Sequence, residues 1–351
     1  MESYQVLEWG QPLQKVLGAT PKPSGTEVLM RLQACGVCHS DLHIRDGAYD
    51  LGGGKSIQLG QIGIHLPLTM GHEMVGTVAA HGPDADPTDA PQGALRVVFP
   101  WIGCGQCRHC LRDAELDCEA PRSLGTRRAG GYASHVLVPH ARYLVDCEGI
   151  DPLVAASAAC SGITAYSALK KLPACGPEDT VVLIGAGGLG LAALGQIRHL
   201  CRARVVVVDT NPDKLKAASA QADLVIPIED ADAHAQLRAF AGGGAVGVVD
   251  FVGLPQTFEW GMAALRKGGS LVVVGLFGGG TALSIPLLPM RNLRLIGSYV
   301  GSLAEFKALL ELLRKPEVNS VPISTRPMAE INDIFEDIRQ GRAHGRVMAL
   351  V

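Results

Sequence analysis

The stretch Val181–Gly190, VVLIGAGGLG, decides the fold of this chain. Its first four residues are apolar, as in a strand that is buried on both faces. Gly185, Gly187 and Gly190 follow in Gly-x-Gly-x-x-Gly register, and the chain then continues as LAALGQIRHL, which has the composition of a helix. A buried strand that turns through such glycines into a helix predicts the first unit of a parallel sheet with helices on both faces.

The same turn predicts a dinucleotide site. The glycines let the backbone approach a pyrophosphate, and the helix that follows presents its N–H groups to the phosphates. Asp209 ends the next apolar run, VVVVD, where a carboxylate binds a ribose diol and repels a 2′-phosphate. No arginine follows in TNP, so we expect NAD rather than NADP. The alternative is a tight turn in a sheet that binds no ligand. The expected cofactor-binding residues are Gly185, Gly187, Gly188, Leu189, Gly190 and Asp209.

The rest of the chain shows two sequence patterns. Over residues 156–294, apolar strands such as AVGVVDFVG and SLVVVGLFG alternate with helical stretches. Residues 1–155 contain short β-branched runs broken by Gly and Pro, and the tail adds two helical stretches and a last strand, GRVMALV. At 351 residues the chain exceeds the usual size of one core. We therefore predict an α/β protein with a doubly wound parallel sheet over 156–294 and a β-rich domain over 1–155 and 295–351.

Charge and composition argue against several partners. The net charge is −3 without a long run of one sign, which indicates neither nucleic acid nor a membrane surface. The uncharged stretch 180–197 is long enough for a membrane helix, but its five glycines favour a strand that turns into a helix. The opening MESYQVLEWG lacks the basic start and apolar run of an export signal. We expect a cytoplasmic protein whose ten cysteines are metal ligands or buried thiols.

Four cysteines lie close together in CGQCRHCLRDAELDC: Cys104, Cys107, Cys110 and Cys118. Four thiolates from one loop can complete the tetrahedral shell of a zinc ion, and a complete shell makes such a site structural. An iron–sulfur cluster also uses four cysteines, although its usual spacings differ. Surface thiols without a metal are the remaining alternative.

A second set of metal-binding side chains is spread along the chain. Cys38 lies in ACGVCHSDLH, His72 and Glu73 lie in TMGHEMVG, and Cys160 lies in AASAACSGITAYSAL. Two thiolates and an imidazole would leave one coordination position open, as in a catalytic zinc site. Spacing alone does not bring these residues together. Cys35 and Cys38 also read as a redox pair, and a single Cys160 is more often a small buried residue.

The ordered motifs GVCHSDLH, GHEMVG, the four-cysteine loop, GAGGLG with its aspartate, and GRAHGRV resemble the zinc-dependent alcohol dehydrogenases of the medium-chain dehydrogenase/reductase superfamily. The resemblance covers essentially the whole chain. It implies a GroES-like catalytic domain and a Rossmann coenzyme domain, NAD and two zinc ions as cofactors, and a homodimer or homotetramer. The implied reaction is the reversible oxidation of a small primary or secondary alcohol to an aldehyde or ketone.

The resemblance also implies a role for individual residues. Cys38, His72 and Cys160 match the catalytic zinc ligands, and Glu73 matches an acidic neighbour that can replace substrate as a ligand. The other matched positions are Ser40 (hydrogen bond to the substrate oxygen), Asp41 (orientation of the liganding histidine), His43 (end of a proton relay), His39 (cofactor phosphate), Thr164 (nicotinamide), Lys214 (adenosine ribose), Arg346 (pyrophosphate), Leu276 (nicotinamide or pocket) and Trp101 (substrate pocket).

The segment 47–67, GAYDLGGGKSIQLGQIGIHLP, is longer than the family pattern requires. It is either a lid or specificity loop at the cleft, or a surface or subunit-contact loop.

A cyclic, polyol, aromatic or acyl-CoA-linked alcohol is an alternative substrate, although Cys160 argues against the polyol branch. A dinucleotide-binding redox sensor is the alternative that is not an enzyme. The run GTALSIPLLPMRNLRLIGS could supply an interface strand.

Overall fold

The computed structural model describes residues 1–318, 321–343 and 345–351, so His344 of the GRAHGRV motif lies outside the described residues. The elements up to residue 150 are β1 Glu2–Val6, β2 Gln14–Leu17, β3 Val28–Val37, α1 His39–Asp46, β4 Ala48–Gly52, β5 Lys55–Gln58, β6 Leu68–Thr69, β7 Glu73–His81, β8 Leu95–Val98, β9 His135–Val138 and β10 Leu144–Asp146.

The remaining elements are α2 Pro152–Ser157, a π-helical turn Ala158–Gly162, α3 Ile163–Lys170, β11 Thr180–Ile184, α4 Gly188–Leu200, β12 Arg204–Asp209, α5 Pro212–Ala218, β13 Leu224–Pro227, α6 Ala233–Ala241, β14 Ala245–Asp250, α7 Pro255–Ala264, β15 Leu265–Val273, α8 Leu287–Arg291, β16 Arg294–Gly297, α9 Leu303–Leu313, β17 Ile323–Pro327, α10 Ile331–Arg339 and β18 Arg346–Leu350.

The apolar runs of the second region form a parallel sheet of six strands in the order β13-β12-β11-β14-β15-β16. Every residue of β11 is buried. Val181 and Leu183 belong to the core that includes α4, whereas Val182 and Ile184 belong to the core that includes α6 and α7. Because successive side chains of a strand point to opposite faces, the sheet is covered on both sides. The predicted α/β class with a doubly wound parallel sheet is confirmed.

The glycine turn joins β11 to α4 as the sequence predicts. Gly185 has a φ of +96°, a left-handed conformation that favours glycine. A Cβ atom on Gly190 would overlap the carbonyl oxygen of Gly185, so the first turn of α4 packs directly on the end of β11. The uncharged stretch 180–197 is therefore divided between a strand and a helix and is not one continuous helix.

Another helical segment, Pro152–Lys170, is long and apolar enough to cross a membrane by length and composition. Inside the protein, 78% of its most apolar window is buried, as in the core helix of a globular domain. Length and composition are weak evidence for a membrane span in such a case.

The β-rich region contains a seven-stranded sheet with the path β10-β8-β7-β3-β18-β17, in which β9 also pairs with β3. The tail strand β18 runs antiparallel to β3, so the tail joins the first region of the chain. Strand β16 belongs to the parallel sheet, which therefore continues to Gly297, beyond the predicted limit at residue 294. The limit at residues 155 and 156 falls within α2. The two limits remain predictions.

The contact between Gly190 and Gly185 leads to a testable prediction. We expect Gly190→Ala to lower the free energy of unfolding by about 1–3 kcal/mol, because the added methyl group overpacks the turn. Gly187→Ala is the matched control, since a Cβ there would meet nothing within 4 Å and the φ is −78°. Chemical denaturation of the two variants measures the difference. Equal unfolding energies for both variants would contradict this account of the turn.

Candidate active site

Helix α1 positions the first group of predicted residues. Cys38 is its N-cap in an extended conformation, and Asp41 is the third helical residue. The Asp41 carboxylate accepts a hydrogen bond from the Cys38 backbone N–H through Oδ2, at 2.9 Å. This return bond closes a capping box, which is the local reason for a cysteine and an aspartate at this spacing. Ser40 and His43 are half-buried and lie three residues apart, on one face of the helix.

His72 lies in the short connection between β6 and β7. Gly71 before it has a φ of +92°, and a Cβ there would lie 2.6 Å from the Tyr132 ring and 2.8 Å from the Cys35 sulfur. His72 and Asp41 are fully buried, with Nδ1 and Oδ1 3.3 Å apart. Burial acts to lower the pKa of His72, but the Asp41 carboxylate and the Cys38 sulfur together outweigh it and raise the pKa to about 10. Neither ring nitrogen of His72 forms a hydrogen bond with the described residues, so its contact with Asp41 is an ion-pair contact and Nε2 has no protein partner.

Cys160 lies in the π-helical turn between α2 and α3. Such turns interrupt the regular hydrogen-bond ladder of a helix and are frequent at functional sites. Two side chains donate hydrogen bonds to backbone carbonyl groups of this turn. The indole N–H of Trp101 donates to the Ala159 carbonyl at 2.8 Å, and the Thr164 hydroxyl donates to the Cys160 carbonyl at 2.7 Å. Trp101 thus holds the segment that presents Cys160, besides lying 5.2 Å from the His72 ring, centroid to centroid.

The structure brings these separate segments into one buried cluster. The ligand atoms of Cys38, His72, Glu73 and Cys160 all lie within 4.8 Å of one another, and the two sulfurs are 3.6 Å apart. Two sulfurs bound to one tetrahedral zinc at 2.3 Å would be about 3.8 Å apart. The donor set, the sulfur separation and the unpartnered Nε2 therefore fit one zinc ion. Their roles as ligands remain predictions.

Cys35 lies apart from this cluster. Its sulfur packs against the backbone of Gly71 and Gly131, and burial raises the pKa of its thiol well above the usual value. The sulfur of Cys38 instead faces Cys160. This arrangement favours one metal ligand and one core thiol over a redox pair.

Glu73 connects the cluster to the predicted cofactor side. Its Oε1 accepts a hydrogen bond from the Arg346 guanidinium, and both side chains are buried. Oε2 has no hydrogen-bond partner among the described residues, and one oxygen of the carboxylate lies within the cluster. The Arg346 side chain also packs against Gly188, where a Cβ would lie 2.9 Å from Cδ. One guanidinium therefore touches both the metal cluster and the first residue of α4.

The four-cysteine loop forms a second candidate metal centre. The sulfurs of Cys104, Cys107, Cys110 and Cys118 lie within 4.8 Å of one another. Three of the sulfur pairs are separated by 3.5 Å, 3.8 Å and 3.9 Å, which again fits one tetrahedral zinc. Glu115, which the sequence analysis missed, fixes the loop by accepting hydrogen bonds from the Gly103 N–H and the Tyr143 hydroxyl. Hydrogen bonds from backbone N–H groups lower the pKa of the Cys104 thiol to about 6.

Aromatic side chains to which no sequence motif points lie near the residues of the first cluster. Tyr49 lies against His43 with 5.0 Å between ring centroids, and Phe277 lies 4.4 Å from His39. Tyr299 lies 5.9 Å from Trp101 and is 57% exposed, an unusual exposure for a large ring. Leu276, a predicted nicotinamide or pocket residue, is also exposed. Phe277 and Tyr299 follow strands β15 and β16, and the carboxyl ends of parallel strands are where ligands bind.

The extra segment 47–67 forms a β-hairpin from β4 and β5, followed by a short 3₁₀ helix, Leu59–Ile62. The glycine tip of the hairpin packs on the backbone of Gly279 and Gly280, in the loop after β15. Tyr49 of the hairpin contacts His43, whereas the tip of the hairpin contacts the parallel-sheet region. This position agrees with the lid or specificity hypothesis. A loop that only contacts another subunit would not need to lie there.

The predicted cofactor residues lie around the glycine turn. Asp209 ends β12, and its carboxylate accepts hydrogen bonds from the N–H groups of Ala186 at 2.7 Å and Asn211 at 2.8 Å. Lys214 is half-buried in the first turn of α5, which Asn211 caps. Leu189 is half-buried in the first turn of α4. The carboxylate thus lies against the turn, as a ribose ligand beside bound phosphates requires.

The hydrogen bond of Trp101 leads to a second prediction. We expect Trp101→Phe to lower the free energy of unfolding by about 1–3 kcal/mol more than Trp260→Phe, because a buried carbonyl loses its donor. Trp260 is the matched control, since its buried Nε1 has no partner in the described part of the chain. Thermal and chemical unfolding of the two variants measure the difference. A similar loss in both would show that the bond to Ala159 contributes little.

Two family models match the chain. The model described as "Alcohol dehydrogenase GroES-like domain" matches residues 24–148, and the model described as "Zinc-binding dehydrogenase" matches residues 188–315. Together they cover both the β-rich region and the parallel sheet.

Curated relatives and solved structures agree with these models. The chain is 34% identical to an NAD-dependent alcohol dehydrogenase of Sulfurisphaera tokodaii and 33% identical to one of Saccharolobus solfataricus, and each match covers 99% of both chains. Its structure resembles that of the alcohol dehydrogenase of Aeropyrum pernix with a TM-score of 0.90 at 27% identity, over 100% of both chains. The chain therefore belongs to the zinc-type alcohol dehydrogenases of the medium-chain dehydrogenase/reductase superfamily, with a GroES-like domain and a Rossmann-like domain.

Proposed function

We propose that this protein is an NAD- and zinc-dependent alcohol dehydrogenase that interconverts small primary or secondary alcohols with aldehydes or ketones. The observation that carries the proposal is the buried cluster of Cys38, His72 and Cys160, which lies beside an aromatic cleft. Family membership supports the reaction class, and the carboxylate of Asp209 supports NAD. A redox sensor that only binds a dinucleotide would not need this cluster.

We propose zinc at both cysteine centres. Cys38, His72 and Cys160 would hold the catalytic ion, with Glu73 as an additional donor, and the four-cysteine loop would hold the structural ion. Bound zinc supplies a Lewis acid for the alcohol or carbonyl oxygen, and bound NAD accepts or donates the hydride. The side chains of the protein would position the substrate, provide a path for its proton and exclude part of the water from the site.

Ser40 and His43 are proposed to move the proton. Ser40 would accept the proton of the substrate hydroxyl through its Oγ, and His43 would pass it to solvent. Burial lowers the pKa of His43, so the imidazole is neutral near pH 7 and has a free nitrogen to accept a proton. His43 is half-exposed and reaches the surface next to Tyr49. On the cofactor side, His39, Thr164, Lys214, Leu276 and Arg346 keep their predicted roles.

The cleft favours substrates with an apolar body. Trp101, Tyr299 and Tyr49 present three aromatic rings near the metal cluster. Such rings accommodate alkyl, cyclic or aryl alcohols better than polyols, whose hydroxyl groups would lose hydrogen bonds to water. Cyclic and aryl alcohols are therefore the preferred alternatives within the superfamily.

We also propose a cytoplasmic homodimer or homotetramer. None of the ten cysteines, all of them among the described residues, forms a disulfide, which agrees with a reducing compartment. Strand β16 is the last strand of the parallel sheet, and the run 280–298 carries exposed apolar side chains such as Ile285 and Met290. An edge strand next to exposed apolar residues supports an interface between copies of this chain.

Removing one proposed ligand tests the function directly. We expect Cys38→Ala to lower turnover about a thousandfold, because the loss of the Lewis acid removes several kcal/mol of stabilisation. Zinc content should fall from two ions to one per chain, while titration of NADH fluorescence still shows binding. Turnover is measured with NAD on a panel of primary, secondary, cyclic and aryl alcohols. Cys35→Ala is the matched control and should keep both zinc ions. Retained turnover in Cys38→Ala would contradict the assignment.

Cofactor choice gives a separate prediction. We expect Asp209→Asn to lower the ratio of kcat/KM for NAD to that for NADP at least about tenfold, because a like charge beside a 2′-phosphate costs several kcal/mol. Asp213→Asn removes an exposed carboxylate four residues away and should leave the ratio unchanged. Steady-state kinetics with both cofactors measure the effect. An unchanged ratio in Asp209→Asn would exclude the proposed ribose contact.

A further inference from the structure

The hydroxyl of Tyr132 lies behind the catalytic cluster and has no part in the proposed proton path. Tyr132 is fully buried, and its hydroxyl donates a hydrogen bond to Oδ2 of Asp41 at 2.7 Å. Burial raises the pKa of this hydroxyl well above its usual value, so the group remains an O–H donor. Tyr132 lies far from α1 in the sequence, three residues before β9.

Asp41 receives three polar contacts in a site that water does not reach. Oδ2 accepts hydrogen bonds from the Tyr132 hydroxyl and from the Cys38 N–H at 2.9 Å. Oδ1 lies 3.3 Å from Nδ1 of His72. Two donors on one oxygen fix the plane of the carboxylate, and this plane determines where Oδ1 meets the imidazole. A backbone donor alone would leave the carboxylate free to rotate about its Cβ–Cγ bond.

The ring of Tyr132 is held firmly enough to act as a support. It packs against Gly71, the residue before His72, where no side chain would fit. Its other contact is edge-on with Phe335, at 5.9 Å between centroids. Backbone hydrogen bonds join Tyr132 to Met70 at 2.9 Å and to Tyr4 at 2.8 Å. The same residue therefore supports the His72 segment through its ring and Asp41 through its hydroxyl.

We propose that Tyr132 is a positioning residue for the metal ligand His72 and acts through the Asp41 carboxylate. The inference rests on the proposed function, because it requires a zinc ion at the cluster of Cys38, His72 and Cys160. Groups that hold a liganding histidine in this way fix its ring orientation and increase its basicity, and their loss weakens metal binding. Without the hydroxyl, Oδ2 of Asp41 keeps one donor, and the imidazole loses part of its alignment toward the metal.

The test is the release of zinc from the holoenzyme to a coloured chelator. We expect Tyr132→Phe to release the catalytic zinc about tenfold faster than wild type, since loss of such a support costs 10–100-fold in metal affinity. The structural zinc should leave at an unchanged rate. Tyr4→Phe is the matched control, because it removes another hydrogen bond from a buried tyrosine to a carboxylate, that of Glu2 at 3.1 Å. Its release rate should equal that of wild type.

A double-mutant cycle separates positioning from packing. If Tyr132 acts through Asp41, Tyr132→Phe should add little to the zinc release of Asp41→Ala. Replacement of the catalytic zinc by cobalt gives a second readout that needs no Asp41 variant. The visible bands of the bound cobalt report ligand geometry, and we expect them to shift in Tyr132→Phe but not in Tyr4→Phe.

The outcomes are distinguishable. Unchanged zinc release and unchanged cobalt bands in Tyr132→Phe would overturn the inference, as would an undiminished effect in the Asp41→Ala background. A wild-type chain that binds one zinc and oxidises no alcohol would overturn the proposed function, and the inference with it. Zinc content and turnover of the wild-type protein are measured first, so a failure of the proposed function is seen before the variants are compared.

Discussion

The buried ion pair between Glu73 and Arg346 is the interaction on which the rest of the site depends. Burial of two charges is costly, and removal of one partner from such a pair destabilises a protein by about 3–5 kcal/mol. The pair joins three parts of the molecule: the first residue of β7 beside His72, the first residue of β18, and, through the arginine side chain, Gly188 at the start of α4. The cluster around Cys38 and the glycine turn at the start of α4 are therefore both in contact with the Arg346 side chain.

Local motifs carried most of what the sequence could predict. The turn at Gly185 and Gly190 follows from steric requirements that only glycine meets, so its strand and helix were predictable. The spacing of Cys38 and Asp41 follows from a helix N-terminus, and the four cysteines of the second centre follow from a single loop. Each of these features depends on residues close in sequence, where propensity and spacing are informative.

The rest of the site depends on contacts between distant segments. The π-helical turn that presents Cys160 is stabilised by an indole from a different element, and no periodicity of the sequence reveals it. No sequence motif marks Tyr132 or Tyr299. Only the fold brings Tyr132 into contact with Asp41 and Tyr299 into contact with Trp101. The proposed zinc ligands Cys38, His72 and Cys160 were grouped by resemblance to a family, because their separation in the sequence gave no physical reason to pair them.

The pairing of β18 with β3 has a consequence for the order in which the protein forms. Ala34 lies opposite Leu350, and Val37, next to the proposed zinc ligand Cys38, lies opposite Val347. Until residues 346–350 have left the ribosome, only the part of this edge of β3 that pairs with β9, Val28–Arg31, has a partner, and Glu73 lacks its ion pair with Arg346. The parallel sheet, whose strands lie between residues 180 and 297, can pair its strands before that. During synthesis, the parallel sheet can thus be complete while the sheet that carries the proposed zinc ligand Cys38 still lacks its last strand.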